Sequence, residues 1–313
     1  MRSLVTTTLL LGLFSFNLEA QEPFEPLYAG TLLQFYGENI PPGHISVEPY
    51  VYVLRQYGTY NSHWNVVHAP KITSEQWFVF LETGITKWID FNLIVPSEST
   101  QAYGHNSILF SDLEAYLGFQ LAKDKKGSWL PDIRLLVGES FPTGKYQNLN
   151  PKKQGADISG SGAYETTLIL VLDKTYYWLK THPIALNLNL YYTWLTKVKV
   201  HGFNAYGGNA DTEGVVKPGN QFEMNLAAEF SLTRNWVVGM DLHYIHFDHS
   251  LFHGRPGTGL IPGLPSSEQW SLAPCIEYNF SERFNVSTGA WFSVLGRNAP
   301  AFAGGIATIY WYF

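Results

Sequence analysis

Residues 301–313 read AFAGGIATIYWYF. Counted back from Phe313, residues Trp311, Ile309, Ala307, Gly305 and Ala303 fall on one face of an extended strand, while Tyr312, Tyr310 and Thr308 fall on the other. The stretch is a period-two strand with an aromatic collar at one end. On a water-soluble sheet such an edge invites aggregation. A closed barrel in a membrane has no free edge, and its aromatic collar lies at the lipid–water interface. These thirteen residues therefore predict an all-β, transmembrane, antiparallel up-and-down β-barrel.

The same alternation recurs upstream. Ile184, Leu186, Leu188, Leu190 and Tyr192 oppose Ala185, Asn187, Asn189, Tyr191 and Thr193. Phe222, Met224, Leu226, Ala228 and Phe230 oppose Gln221, Glu223, Asn225 and Glu229, and residues 113–121 and 270–280 behave alike. One such strand also fits a soluble sandwich. Apolar faces that stay free of charge strand after strand do not. About twelve strands are expected, with ten or fourteen as neighbouring counts, and the period is obscured where Trp77, Phe78, Val79 and Phe80 follow one another. Short connections near residues 84–88, 123–132, 173–183, 233–235 and 281–284 alternate with long ones near 58–74, 97–107, 143–162, 197–219 and 250–267. That alternation matches short periplasmic turns and long outside loops.

Composition fits. Aromatic residues make up 16% and charged residues only 15% of the 313 positions, as expected when lipid-facing apolar and lumen-facing polar residues average out. Residues 1–20 carry a basic start at Arg2, an apolar run and a small residue, Ala20, before Gln21, and are read as an export signal cleaved near Ala20. Residues 21–43 then form a periplasmic or lumen-contacting segment, and 44–313 the barrel. The single Cys275 excludes an internal disulfide. The formal charge of −6 argues against nucleic acid as a partner, and no cofactor is implied.

The inward faces carry the chemistry. Expected lumen acids are Glu48, Glu82, Asp90, Asp112, Glu114, Glu165, Glu223, Glu229, Asp241 and Glu277; Arg134 is the clear lumen cation and His243 is titratable. Tyr50, Tyr52, Tyr116, Tyr191, Trp291, Tyr310 and Tyr312 lie between them. Such an excess of one sign is costly in a dry interior, so water or counter-cations are expected beside it. Alternation sends His243 and His246 to opposite faces, so they cannot share a metal. GESFPTGKY at residues 138–146 fails the phosphate-loop spacing. His105 and Ser107 are the nearest pair to a hydrolase constellation, without its context.

FYGENIPPGHISVE at residues 35–48 joins a Pro-Pro-Gly turn to the first barrel strand, and WLPDIRLLVGESFPTG at 129–144 joins a tryptophan-bearing turn to a strand ending in Pro-Thr-Gly. Together they resemble the family of outer-membrane barrels associated with the meta-pathway of phenol degradation. That resemblance implies transport of small, often aromatic, compounds, and assigns no functional residue. The final strand ending in Phe313 also resembles the signal by which the barrel-insertion machinery recognises its clients. The expected protein is thus a narrow outer-membrane channel for small solutes, aromatic or hydrophobic ones included, with an acidic, cation-favouring lumen and outer-membrane lipids around it. A structural or surface-interaction barrel with a closed lumen and partner-binding loops is the alternative, and a lipid-modifying barrel enzyme is third.

Overall fold

A computed structural model describes residues 24–179, 181–258 and 262–313; the signal-peptide reading falls on residues outside these. Sixteen strands follow in chain order: β1 (Ile45–Tyr60), β2 (Val66–Thr86), β3 (Ile89–Ala102), β4 (His105–Phe110), β5 (Leu113–Ala122), β6 (Asp132–Phe141), β7 (Glu165–Tyr176), β8 (Ile184–Leu195), β9 (Val198–His201), β10 (Glu213–Lys217), β11 (Gln221–Ser231), β12 (Trp236–Phe247), β13 (Leu251–Arg255), β14 (Ser267–Ser281), β15 (Phe284–Arg297) and β16 (Ala299–Tyr312). Apart from β4, β9, β10 and β13, they form a ring of twelve. Each pairs antiparallel with its neighbours, and β1 joins both β2 and β16, so the sheet closes on itself. Closure satisfies every ladder and leaves no edge to the lipid.

Registers show why alternation was visible in the sequence. Leu172, Leu188, Leu226, Leu242 and Leu272 are successive register partners across β7, β8, β11, β12 and β14. They form one apolar row on the outer surface. One residue along, Val171, Asn189, Asn225, His243 and Ser271 form the matching row inside. Aromatic residues frame the outer surface at both ends. Trp236 packs on Tyr278 and Trp311 on Phe313 at the short-turn end, and Tyr192 on Trp194 and Tyr244 on Trp270 at the other. These pairs are the two interfacial girdles of a membrane barrel.

Two expected loops are instead strand. Residues 58–74 are mostly the upper part of the β1–β2 hairpin, closed by residues 61–65, and 97–107 hold the end of β3 and the start of β4, joined at Tyr103–Gly104 with positive φ at both. Polar strand above the membrane lacks the apolar alternation that marks strand within it, so it reads as loop. The long loops 143–162, 197–219 and 250–267 also carry structure. β9, β10 and β13 pair into a separate three-stranded sheet, whose core is Ala163, Val198, Val200, Tyr206 and Val216.

The register predicts a depth-dependent penalty for charge on the outer face. Leu226→Arg, at mid-strand, should cost about 2–4 kcal/mol, and Phe222→Arg, four residues nearer the rim, about 0–1 kcal/mol. Denaturant titration in lipid vesicles measures both, and equal losses would place the register wrongly.

Candidate functional site

The lumen holds the chain's own N-terminal segment. From the short-turn mouth, residues 24–31 rise inside the barrel, turn at Leu32–Leu33, and descend to Gly43 before β1 begins. The segment has no regular structure, so its amides need partners in the wall. Four are found on inward side chains. Ala29 N donates to Glu277 Oε1 at 3.0 Å, Phe35 N to Asn189 Oδ1 at 2.7 Å, Asn39 N to Gln120 Oε1 at 2.8 Å, and Ile40 N to Asp90 Oδ2 at 3.2 Å. Its carbonyls are met in turn. Asn279 Nδ2 donates to Leu27 O, Tyr52 OH to Leu32 O, Asn187 Nδ2 to Phe35 O and Arg134 Nη1 to Tyr36 O, at 2.9–3.2 Å. The partners come from strands all round the ring, which places the segment inside it.

Glycines in the wall make room. A Cβ at Gly84 would fall on the Pro41 carbonyl, and one at Gly239 would lie 2.8 Å from Thr31 Cγ2. A glycine inside a strand often marks such a close approach. The same Gly239 position lies against Cys275 Sγ, so the sole thiol sits beneath the turn of the segment. At the mouth, Lys126 and Tyr177 hold the carboxylate of Glu25, which lowers its pKa below the usual carboxylate range. Lys123 lies 3.7 Å from Glu38.

Arg134 is the hub beneath the descending arm. Its Nη2 reaches Asp90 Oδ2 at 2.6 Å, Glu82 Oε1 at 3.1 Å and Asn92 Oδ1 at 3.2 Å, and its side chain is fully buried. Glu48 accepts from Tyr36 OH at 2.6 Å and from Tyr50 OH at 2.8 Å. Asp241 accepts from Thr31 Oγ1 at 2.5 Å and from Asn225 at 2.7 Å. Thus Glu48, Asp90, Asp241 and Glu277 act largely as acceptors for the segment, whose lumen contact the sequence allowed without pairing it to these acids. Removing one partner of such a buried acceptor costs about 1–3 kcal/mol.

The turn of the segment divides the remaining space. On the long-loop side a cavity of about 320 Å³ is bounded by Leu33, Phe35, Tyr50, Tyr52, Phe78 and Trp291. Phe35 sits 5.5 Å from the Phe80 ring and 5.6 Å from Tyr116, with Tyr191 at 6.2 Å. Its polar corner is a hydrogen-bonded chain. His243 Nε2 meets Glu223 Oε1 at 2.8 Å, Ser271 Oγ meets His243 Nδ1 at 3.3 Å, and Trp291 Nε1 donates to Ser271 Oγ at 2.9 Å. Ser271 is buried and its oxygen accepts from the indole, so the chain holds the His243 ring in orientation. Higher still, Asp112, Glu114 and Glu165 line a cleft of about 340 Å³ near the outer rim, where Asp112 also ties Gly144 N and Ser161 N at 2.7 and 2.8 Å. On the short-turn side a chamber of about 580 Å³ has Glu229, Tyr310 and Tyr312 in its wall. Phe78 and Phe80 were hidden by the run of four apolar residues, and Asp173, Asn187 and Gln120 were not singled out; their inward parity was the available signal.

No family model matches the chain and no curated protein does, so the phenol-degradation resemblance rests on its short motifs. Among solved structures the chain is similar to the COG4313 outer membrane channel from Pseudomonas putida F1, at 12% identity and a TM-score of 0.69 over 90% of this chain and 100% of that one. It also matches the NanC porin at 7% identity and TM-score 0.42 (84% and 99% covered), and the TodX monoaromatic hydrocarbon channel at 10% and 0.40 (87% and 89% covered). The first likeness fixes the fold as that of an outer-membrane barrel.

Cys275 reports on the segment. A water-soluble maleimide should label it slowly in the intact protein. Deleting residues 24–41 should speed labelling by roughly tenfold or more, since access then no longer waits on local opening. Mass spectrometry of timed samples measures the rates, and equal rates would remove the segment from above the thiol.

Proposed function

We propose that the protein is a narrow outer-membrane channel for small solutes, exported by residues 1–20 and constricted by residues 24–43. The observation that carries this reading is the division of the lumen into an outer aromatic cavity and an inner chamber on either side of one loop turn. A packed structural barrel would fill both spaces with side chains. The aromatic wall of Tyr50, Tyr52, Phe78 and Trp291 favours aromatic or hydrophobic solutes, held in a pocket of the size small ligands use. Asp112, Glu114 and Glu165 at the outer cleft favour cations at entry. Because the turn at Leu32–Leu33 lies between the two spaces, solute passes only when that turn shifts.

A second reading has one observation behind it. The outer sheet of β9, β10 and β13 has its own apolar core, as a rigid surface for an external partner would. Conductance separates the two.

In planar bilayers the intact protein should give small, infrequent openings, and the chain lacking residues 24–41 should give larger, steadier ones. Changing Glu114 and Glu223 to Gln should lower the cation-to-anion permeability ratio, most clearly at low salt, where the Debye length is about 30 Å at 0.01 M. Silence from both proteins would leave the channel reading without support and favour the surface barrel.

A further inference from the structure

The inner chamber differs in chemistry from the aromatic cavity above it. Among the described residues, three carboxylates in its wall, Asp132, Asp173 and Glu229, have no cationic side chain within ion-pair distance; Asp132 accepts from Asp124 N at 2.9 Å and Asp173 from Asn187 Nδ2 at 3.0 Å, neutral donors that bring no counter-charge. Asp132 and Asp173 are direct register partners on β6 and β7, an arrangement in which like charges repel. Glu229 projects from β11 and is 4% exposed, with Oε1 unpartnered. Three more wall residues carry unpartnered acceptors, at Gln34 Oε1, Asn39 Oδ1 and Asn285 Oδ1; Tyr28 OH is unpartnered as well. Buried acceptors rarely stay empty. The atoms are closed to water as they stand, so a donor entering the chamber meets them only with a small side-chain shift.

Water supplies donors alone, whereas an organic cation supplies donors and counter-charge together. No three metal-ligating side chains converge among the described residues, so a chelated metal ion is not what the wall is built for. Tyr28, Tyr36, Tyr310 and Tyr312 also line the chamber, as does Tyr177, whose ring is already covered by Lys126. Aromatic faces beside carboxylates are the surroundings that hold an organic ammonium group. The volume of about 580 Å³ is that of a small-molecule site rather than of an ion.

We infer that the inner chamber binds small organic ammonium cations, with Glu229 and the Asp132–Asp173 pair as counter-charges. This deepens the channel reading and rests on it for the route of entry: the apolar part of such a solute suits the aromatic cavity, and its charged end suits the chamber beyond. The turn at Leu32–Leu33 then separates two selection steps in series.

Calorimetric titration of the full detergent-solubilised chain tests it, with 2-phenylethylammonium, the neutral 2-phenylethanol and calcium chloride as probes. The ammonium should bind more tightly than the alcohol. Glu229→Gln should weaken the ammonium by about tenfold or more and leave the alcohol unchanged, as loss of a buried counter-charge requires. Asn285→Asp adds a carboxylate to the same wall and should tighten it, so the test survives a Glu229 variant that fails to fold. An ammonium that binds no better than the alcohol, or that ignores both substitutions, overturns the inference, and so does an equal response to calcium alone. Binding without conductance would keep the chamber and remove the channel.

Discussion

Backbone N–H groups that enter a membrane protein without helix or sheet partners must find acceptors, and here the lumen wall supplies them. An irregular segment can lie at membrane depth only where it is enclosed by protein or lines a wet cavity. Residues 24–43 meet that condition because Glu277, Asn189, Gln120 and Asp90 stand where Ala29, Phe35, Asn39 and Ile40 present their amides. The bare wall would be a ring of carboxylates and amides around empty space. The bare segment would be a strip of unpaired backbone. Each is the other's solvent.

That pairing changes the meaning of the lumen charge. Ten acids against one clear cation look like a path for cations. In the structure Arg134 serves Asp90 and Glu82, and Glu48 and Asp241 take hydroxyls from Tyr36 and Thr31 of the segment. Asp112 and Glu114 at the outer cleft, and Asp132 and Asp173 in the inner chamber, have neutral donors beside them and no cation. Charge is therefore an anchor at mid-lumen and, on the function proposed above, an attractant at the two ends.

The barrel was legible because its physics is local. A lipid-facing row such as Leu172–Leu188–Leu226–Leu242–Leu272 imposes period two on every strand it crosses. Hairpin above the membrane escapes that constraint, which is why residues 58–74 and 97–107 read as loop. The run at residues 77–80 is apolar on both faces because Phe78 and Phe80 face the aromatic cavity while Trp77 and Val79 face lipid. The path of residues 24–43 could not be read, since an irregular segment has no period. Its traces lay elsewhere, in glycines at 84 and 239 that clear space for it and in uncharged lumen amides at 187, 189 and 225.

Hydrogen exchange by NMR on the isotope-labelled protein in lipid nanodiscs tests the central claim most directly. If the wall accepts the segment's amides, those of Ala29, Phe35, Asn39 and Ile40 exchange far more slowly than unstructured chain, and substituting Asn189 by Ala frees Phe35 in particular. Exchange of all four at the rate of free peptide would contradict the account, because a segment that does not dock in the lumen leaves its acids without the partner assigned to them.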